Sequence, residues 1–294
     1  MNIGYVGLGN MGGALARRLQ LSRQLRVYDL RPESVSALVD NGAIATQDGA
    51  SLARECDVVM TCLPTSQNVR EAIFGAGGLL EGLAPGKIII DQTTGDPNET
   101  RAMAAELRRH GVELVDAPVS GGIRGADAGT IALMVGASDE MFAKIKPTLE
   151  LISPNIFHCG GTGNGHVMKL VNNVTSACIR AATYEAVSMG AKNGLSLETM
   201  AEVMNKGTSY SSTTANHMPK LLSGSRDVNF ALGLMLKDVR LATQLGIDSG
   251  APMMVGNMVR GMLQAASYEL GPDVDMNEII RPIQKAADVT VVDW

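Results

Sequence analysis

The hexapeptide GLGNMG at residues 7–12 constrains this chain more than any other stretch. It is a GxGxxG with demanding surroundings. The apolar run NIGYV precedes it, the helical pattern NMGGALARRLQ (10–20) follows it, and the next apolar run, LRVYD (25–29), ends on Asp29. A strand that turns through glycines into a helix leaves free N–H groups aimed at phosphate, which is the fingerprint of a dinucleotide site. Gly7 permits the tight turn, Gly9 lets a pyrophosphate approach the backbone, and Gly12 lets helix and strand pack closely. Leu8, Asn10 and Met11 complete the expected lining. Asp29, 22 residues beyond Gly7, is placed to accept from an adenosine ribose hydroxyl. Its carboxylate repels a 2′-phosphate, so NAD is preferred to NADP; Arg31 opposes that preference, because a guanidinium pairs with phosphate.

The first half repeats this alternation. The runs NIGYVG (2–7), LRVYD (25–29), DVVMTCL (57–63), KIIID (87–91), ELVDAP (113–118) and TIALMVG (130–136) read as strands. Between them lie helical patterns such as PESVSALVDNG (32–42), NETRAMAAELRRHG (98–111) and SDEMFAKIKPTLELI (138–152), with Pro32, Ser51 and Ser138 at capping or first-turn positions. Such alternation predicts an α/β fold with a doubly wound parallel sheet. Beyond Gly165 no β-branched run of strand length occurs before the terminal VTVVDW. Of 17 methionines, 11 lie after residue 163, as in GAPMMVGNMVRGMLQ (250–264), where they suit an all-helical core. The expected division is a Rossmann-type dinucleotide domain over 1–162 and an all-helical domain over 163–294, meeting at CGGTGNG (159–165), where a long connecting helix begins.

Composition narrows the partners. A net charge of −5 and a pI near 5.4 argue against nucleic acid, and 3% aromatic residues leave no base-stacking platform. No apolar run approaches the length of a membrane span. The chain opens directly on a strand with no basic leader, so a cytoplasmic location is expected. Cys56, Cys62, Cys159 and Cys178 show no CxxC spacing and read as small buried hydrophobes. His110, His158, His166 and His217 are scattered without metal-ligand spacing, so no metal is expected.

Three further segments carry chemistry. CLPTSQN (62–68) and DQTTGDPN (91–98) each follow a strand, where ligands of open parallel sheets bind, and so read as cofactor-lining loops. DAPVSGGIRGADAGT (116–130) offers the Ser120 hydroxyl and the closely spaced N–H groups of Gly121 and Gly122 to an anion, for which a small carboxylate is the natural guest. GHVMKLVNNV (165–174) reads as helix, with Lys169, Asn172 and Asn173 on one face and Val167, Leu170, Val171, Val174 and Cys178 forming an apolar stripe opposite. By itself that polar face would meet only water.

In order, GLGNMG, CLPTS, DQTTGDP, DAPVSGG, GNGHVMKLVNN and FALGLMLKDVRLA (230–242) resemble the β-hydroxyacid dehydrogenase family, of the 3-hydroxyisobutyrate dehydrogenase and tartronate semialdehyde reductase type. The resemblance spans nearly the whole chain. It implies the same two-domain fold and a homodimer or homotetramer formed through the helical domain. Lys169 matches the catalytic lysine, and Asn173 matches the asparagine that orients substrate and lysine. Ser120, Gly121 and Gly122 match the loop that grips the substrate carboxylate. Lys237 matches a lysine near nicotinamide and substrate, and Leu63, Pro64, Asn68 and Thr94 match cofactor contacts. DQTT stands where DSST is frequent, CLP where MLP is frequent, and IRGADAG matches no single member.

On this reading Lys169 donates a proton during carbonyl reduction and accepts one during alcohol oxidation. Burial and a second cation, Lys237, would lower its pKa for the second task, while a neutral Asn173 would not raise it. Its helix face then borders a cleft between the domains rather than solvent. The expected function is NAD(H)-dependent interconversion of a small β-hydroxy acid and its semialdehyde or keto acid. The alternatives are an imine reductase-like enzyme, a catalytically silent NAD-binding module, and a decarboxylating sugar-phosphate dehydrogenase, for which no clustered basic set is present.

Overall fold

A computed structural model describes residues 1–293. The chain divides into two compact units, Met1–Lys169 and Leu170–Trp294.

In the first unit the chain runs β1 (Ile3–Val6), α1 (Asn10–Gln20), β2 (Leu25–Tyr28), α2 (Pro32–Val39), β3 (Ile44–Ala45), α3 (Gly49–Glu55), β4 (Val58–Thr61), α4 (Ser66–Phe74), β5 (Ile88–Asp91), α5 (Pro97–Arg108) and β6 (Glu113–Asp116). These strands form one parallel sheet ordered β3-β2-β1-β4-β5-β6. Its central strands are continuous apolar runs because helices cover both faces; Tyr5, Val27, Val59, Met60, Ile89 and Ile90 are completely buried. The chain moves outward from β1 to β3 and then returns to β4 on the other side of β1. That reversal opens the crevice at the carboxyl ends of β1 and β4 in which doubly wound sheets hold ligands.

TIALMVG departs from expectation. After β7 (Val119–Ser120) and α6 (Gly122–Ala128), its residues form β8 (Ala132–Val135), followed by α7 (Asp139–Leu149) and β9 (Ile156–His158). β8 pairs antiparallel with β7 and parallel with β9 in a separate three-stranded sheet, joined to β6 through an antiparallel bridge between Asp116 and Gly136. The seven-residue α6 is too short a crossover to return the chain parallel, so it folds back as a ribbon. The short strands β3, β7 and β9 give no periodic signal in the sequence.

A 29-residue helix, α8 (Asn164–Lys192), begins in the first unit and continues into the second. The second unit adds α9 (Leu197–Lys206), a π-helical turn over Thr213–His217, α10 (Met218–Leu222), α11 (Leu232–Ser249), α12 (Met254–Leu270) and α13 (Ile280–Ala286). Tyr184, Met218, Leu232, Val239, Leu263 and Ile280 lie at the centre of its core. The methionines divide: Met200, Met218, Met235 and Met276 are buried, whereas Met254 and Met258 on α12 are 80% and 69% exposed. VTVVDW forms no strand among its described residues; the Gln284 side chain accepts from the Val291 and Val292 N–H groups instead. No helix among the described residues is long and apolar enough to cross a membrane.

Candidate active site

The glycines of GLGNMG are each required for a different reason. Gly7 has φ +88°, and a methyl group there would lie 2.4 Å from the Cys62 carbonyl oxygen. A methyl at Gly12 would lie 1.9 Å from the Gly7 carbonyl oxygen, so α1 can approach β1 only without one. At Gly9 the only neighbour is an Arg31 guanidinium nitrogen at 3.4 Å, which leaves the backbone open to a ligand. Asn10 and Met11 begin α1, and Leu8 is buried beneath the loop. These residues fit a dinucleotide pyrophosphate.

Asp29, just past β2, holds this loop. Its Oδ2 accepts the Leu8 N–H at 2.6 Å and its Oδ1 accepts the Arg31 N–H at 2.8 Å. The Arg31 Nε stands 3.5 Å from the same Oδ1, with the guanidinium side chain 57% exposed. Both groups read from the sequence as choosing the cofactor therefore sit together at one mouth.

The next two loops are tied to each other. Leu63 and Pro64 follow β4, and the Leu63 N–H donates to Thr93 Oγ1 at 3.0 Å. Thr93 N–H in turn donates to Asp91 Oδ1 at 3.0 Å, which also accepts the Thr61 hydroxyl at 2.8 Å. Thr94 is half-buried in this same segment. Asn68 lies in the first turn of α4, where its N–H donates to the Thr65 cap and its Oδ1 accepts the Thr65 hydroxyl.

Asp116 ends β6 fully buried, and its carboxylate caps the start of α8. It accepts the Gly163 N–H at 2.6 Å and the His166 N–H at 2.8 Å. Burial raises the Asp116 carboxyl above its ordinary range; His166 and those two N–H groups oppose the rise. Four residues on, Ser120 ends β7, and Gly121 and Gly122 follow with φ +137° and +67°, exposed, with open space where a Cβ of Gly122 would point. The same aspartate thus anchors the turn that leads to Lys169.

On α8 the apolar stripe departs from expectation at one position. Lys169 and Asn173 are 8% and 5% exposed, whereas Val171, assigned to the apolar stripe, is 49% exposed. Leu170 and Val174 remain buried, as expected. Asn172 Nδ2 donates to Asn173 Oδ1 at 3.0 Å, and Asn173 Nδ2 donates to Asp238 Oδ2 at 2.6 Å. Lys237 Nζ lies 3.1 Å from Asp238 Oδ1, an ion pair on α11. That carboxylate is 1% exposed. Asp238, Asp116 and His166 are not among the site residues the sequence points to. The adjacency of Asp238 to Lys237 and the strand-end position of Asp116 are the only signals it offers. Cys56 is buried and its thiol is pushed up to about 11, which keeps it protonated. No group of three or more His, Cys, Asp or Glu able to hold a metal occurs among the described residues.

Comparison with known proteins agrees with this geometry. Residues 2–161 match the model for the NAD binding domain of 6-phosphogluconate dehydrogenase, and residues 163–283 match that for the NAD-binding domain of NADP-dependent 3-hydroxyisobutyrate dehydrogenase. The chain is 36% identical to 2-(hydroxymethyl)glutarate dehydrogenase of Eubacterium barkeri, covering 99% of this chain and 97% of that one. It is 37% identical to 3-hydroxyisobutyrate dehydrogenase of Pseudomonas aeruginosa, over 89% and 90% of the two chains. The solved Mycobacterium tuberculosis 3-hydroxyisobutyrate dehydrogenase with L-serine superimposes with a TM-score of 0.88 at 28% identity, covering 96% of this chain and 98% of that one. The chain accordingly belongs to the β-hydroxyacid dehydrogenase family, as an NAD(P)-dependent hydroxyacid dehydrogenase.

Proposed function

We propose that this enzyme interconverts a short 3-hydroxy acid and its semialdehyde or keto acid, with NAD preferred to NADP, Lys169 moving the proton and Asn173 aligning it. The burial of Lys169, near a helix start that Asp116 caps through the Gly163 and His166 N–H groups, carries this reading. The same aspartate ends the strand that leads, four residues on, to Ser120. The nicotinamide, when bound, gives or takes the hydride. The chain's task is to hold the substrate and manage one proton.

In reduction, the Lys169 ammonium donates a hydrogen bond to the carbonyl oxygen and then the proton, as negative charge develops there. In oxidation the same nitrogen, as the free amine, takes the hydroxyl proton. Asn173 lies one turn further along α8, and its amide is held by Asp238 and Asn172. A fixed neutral amide can orient an amine or hydroxyl without itself titrating. Ser120 and the N–H groups of Gly121 and Gly122 would hold the substrate carboxylate and so fix the reacting carbon. Asp29 supports the NAD preference, because its charge disfavours a 2′-phosphate beside Leu8.

The exposed apolar residues of α12, Met254, Val255, Met258 and Tyr268, support a homodimer or homotetramer formed through the helical unit; light scattering on the purified chain tests it. For the chemistry, Lys169→Ala is expected to lower kcat by about 10²–10⁴-fold with NADH affinity retained. The assay covers 3-hydroxyisobutyrate, tartronate semialdehyde, glycerate, threonate, succinic semialdehyde and glyoxylate, with both cofactors. Full turnover by that variant, or activity confined to a cyclic imine, overturns the assignment.

A further inference from the structure

We infer that His166 is a positioning residue, locking the loop that carries Thr94 to the helix that carries Lys169. His166 is in the first turn of α8, three residues before Lys169, and its side chain is completely buried. Both ring nitrogens are engaged. Nε2 lies 2.9 Å from the Thr93 carbonyl oxygen, and Nδ1 lies 2.9 Å from Thr100 Oγ1. A carbonyl can only accept, so Nε2 carries a proton and donates it to Thr93.

The loop closes around the ring on both sides of Thr94. A methyl at Gly95 would lie 3.2 Å from His166 Cε1, so the backbone there rests against the imidazole. Thr93 is a junction as well as an acceptor. Its Oγ1 takes the Leu63 N–H, and the Leu63 side chain packs where a Gly7 Cβ would point, at 2.7 Å. A continuous line therefore runs from the fingerprint turn through Leu63 and Thr93 to the His166 ring. The main chain of His166 is fixed separately, its N–H held by Asp116 at 2.8 Å. With the backbone pinned to β6 and the ring pinned to Thr93, the azimuth of the first turn of α8 is set relative to the cofactor loop. Lys169 inherits that azimuth within one turn. Misplacement by about 1 Å at a reacting group costs up to about 10²-fold in rate, so such a lock has a measurable effect.

The kcat part of this inference rests on the assignment of Lys169; the cofactor-affinity part does not. Two substitutions divide the ring between its partners. In His166→Gln the amide nitrogen reaches about as far as Nε2 and retains the bond to Thr93. In His166→Asn the amide oxygen sits where Nδ1 does, retaining only the Thr100 contact. The full-length protein is assayed for NADH affinity by fluorescence titration, for KM and kcat, and for thermal midpoint.

The expected result is that Asn weakens NADH binding and lowers kcat by at least about tenfold each, whereas Gln restores both to within about threefold at a similar thermal midpoint. Thr100→Val, which removes the Nδ1 partner and that hydroxyl's bond to the Asp96 carbonyl while leaving the Thr93 contact, is expected to stay within about threefold on both measures. The proposal is overturned if His166→Asn keeps both measures. It is equally overturned if Gln and Asn lose alike in step with the thermal midpoint, which would mean that the ring merely fills space. Should the Asn variant fail to fold, a tenfold loss in Thr100→Val or a failure of Gln to restore overturns it as well. Full turnover by Lys169→Ala would remove the kcat arm alone and leave the NADH titration decisive for His166.

Discussion

The two units hold their acids with different partners. In residues 1–169 the acids at strand ends accept from the main chain: Asp29 from Leu8 and Arg31, Asp91 from Thr93 as well as from the Thr61 hydroxyl, and Asp116 from Gly163 and His166. In the helical unit the acid of α11 meets side chains: Asp238 holds the Asn173 amide and the Lys237 ammonium. Asp275 does both, pairing with Lys220 while accepting the Asn229 N–H. The reason is where free N–H groups occur. Strand ends and helix starts leave them unpaired, while helix interiors have none to offer. An acid at a strand end is therefore held by main-chain N–H groups, whereas an acid inside α11 is held by side chains of α8 and of its own helix.

The strongest way to break this comparison is Gly12→Ala. With a methyl 1.9 Å from the Gly7 carbonyl, the change is expected to cost about 3 kcal/mol or more and to abolish NADH binding. Denaturant unfolding with fluorescence titration checks it; a loss below about 1 kcal/mol would show that the loop tolerates displacement. Asp238→Ala comes next, expected to cost about 2–3 kcal/mol and to lower kcat, because it takes a partner from both the Asn173 amide and the Lys237 ammonium. Restoration by Asp238→Asn of stability but not of kcat would separate the hydrogen bond from the charge.

A matched pair sharpens the contrast further. Tyr5 donates to Gln92 Oε1 at 2.7 Å in the sheet unit, and Tyr184 donates to Asn277 Oδ1 at 2.8 Å in the helical unit. Asn277→Ala is expected to cost about 2 kcal/mol, and Gln92→Ala only about 1 kcal/mol. The difference arises because Gln92 Nε2 is buried without a partner, and its removal relieves that penalty. Equal losses in chemical denaturation would refute the account.

The smallest expected effect concerns pH. Burial, with the neighbouring Arg180 charge, lowers His217 to about 4, against the rise caused by Asp275. The folded protein thus binds fewer protons than the unfolded one between about pH 6.5 and 4, so stability is full above that window and falls as pH drops through it. With this side chain partly exposed, the loss is about 1 kcal/mol. His217→Gln should flatten the dependence of thermal midpoint on pH in that window; an unchanged slope would exclude His217 as its source.

The sheet unit is the more legible of the two. GLGNMG announces itself because three glycines answer three separate steric demands, and Asp29 because strand ends fall at readable intervals. Lys169 and Asn173 stand out only through the ordered motifs around them, since helical periodicity alone predicts a solvated face. Asp116 lies within a readable motif, yet its acceptance of N–H groups 47 and 50 residues away leaves no local pattern. His166 reads as one of four scattered histidines because its partners, Thr93 and Thr100, lie 73 and 66 residues distant. TIALMVG reads as another parallel strand because its composition is that of one; only the short α6 before it turns it into the smaller sheet.

The strand order also governs when this protein can first become itself. β1 pairs in register with β4, Ile3 against Val58 and Val6 against Thr61, and its entry is fixed by the Asn2 N–H on Asp57. The fingerprint leaves the ribosome well before the carbonyl of Cys62 that shapes Gly7. At about 5–20 residues per second, the turn stays formless for several seconds of synthesis. A nascent chain stopped before β4 would carry the whole GLGNMG motif and bind no nucleotide. Pairings of this sequence separation close more slowly than local contacts, so the cofactor site forms after the helices that flank it.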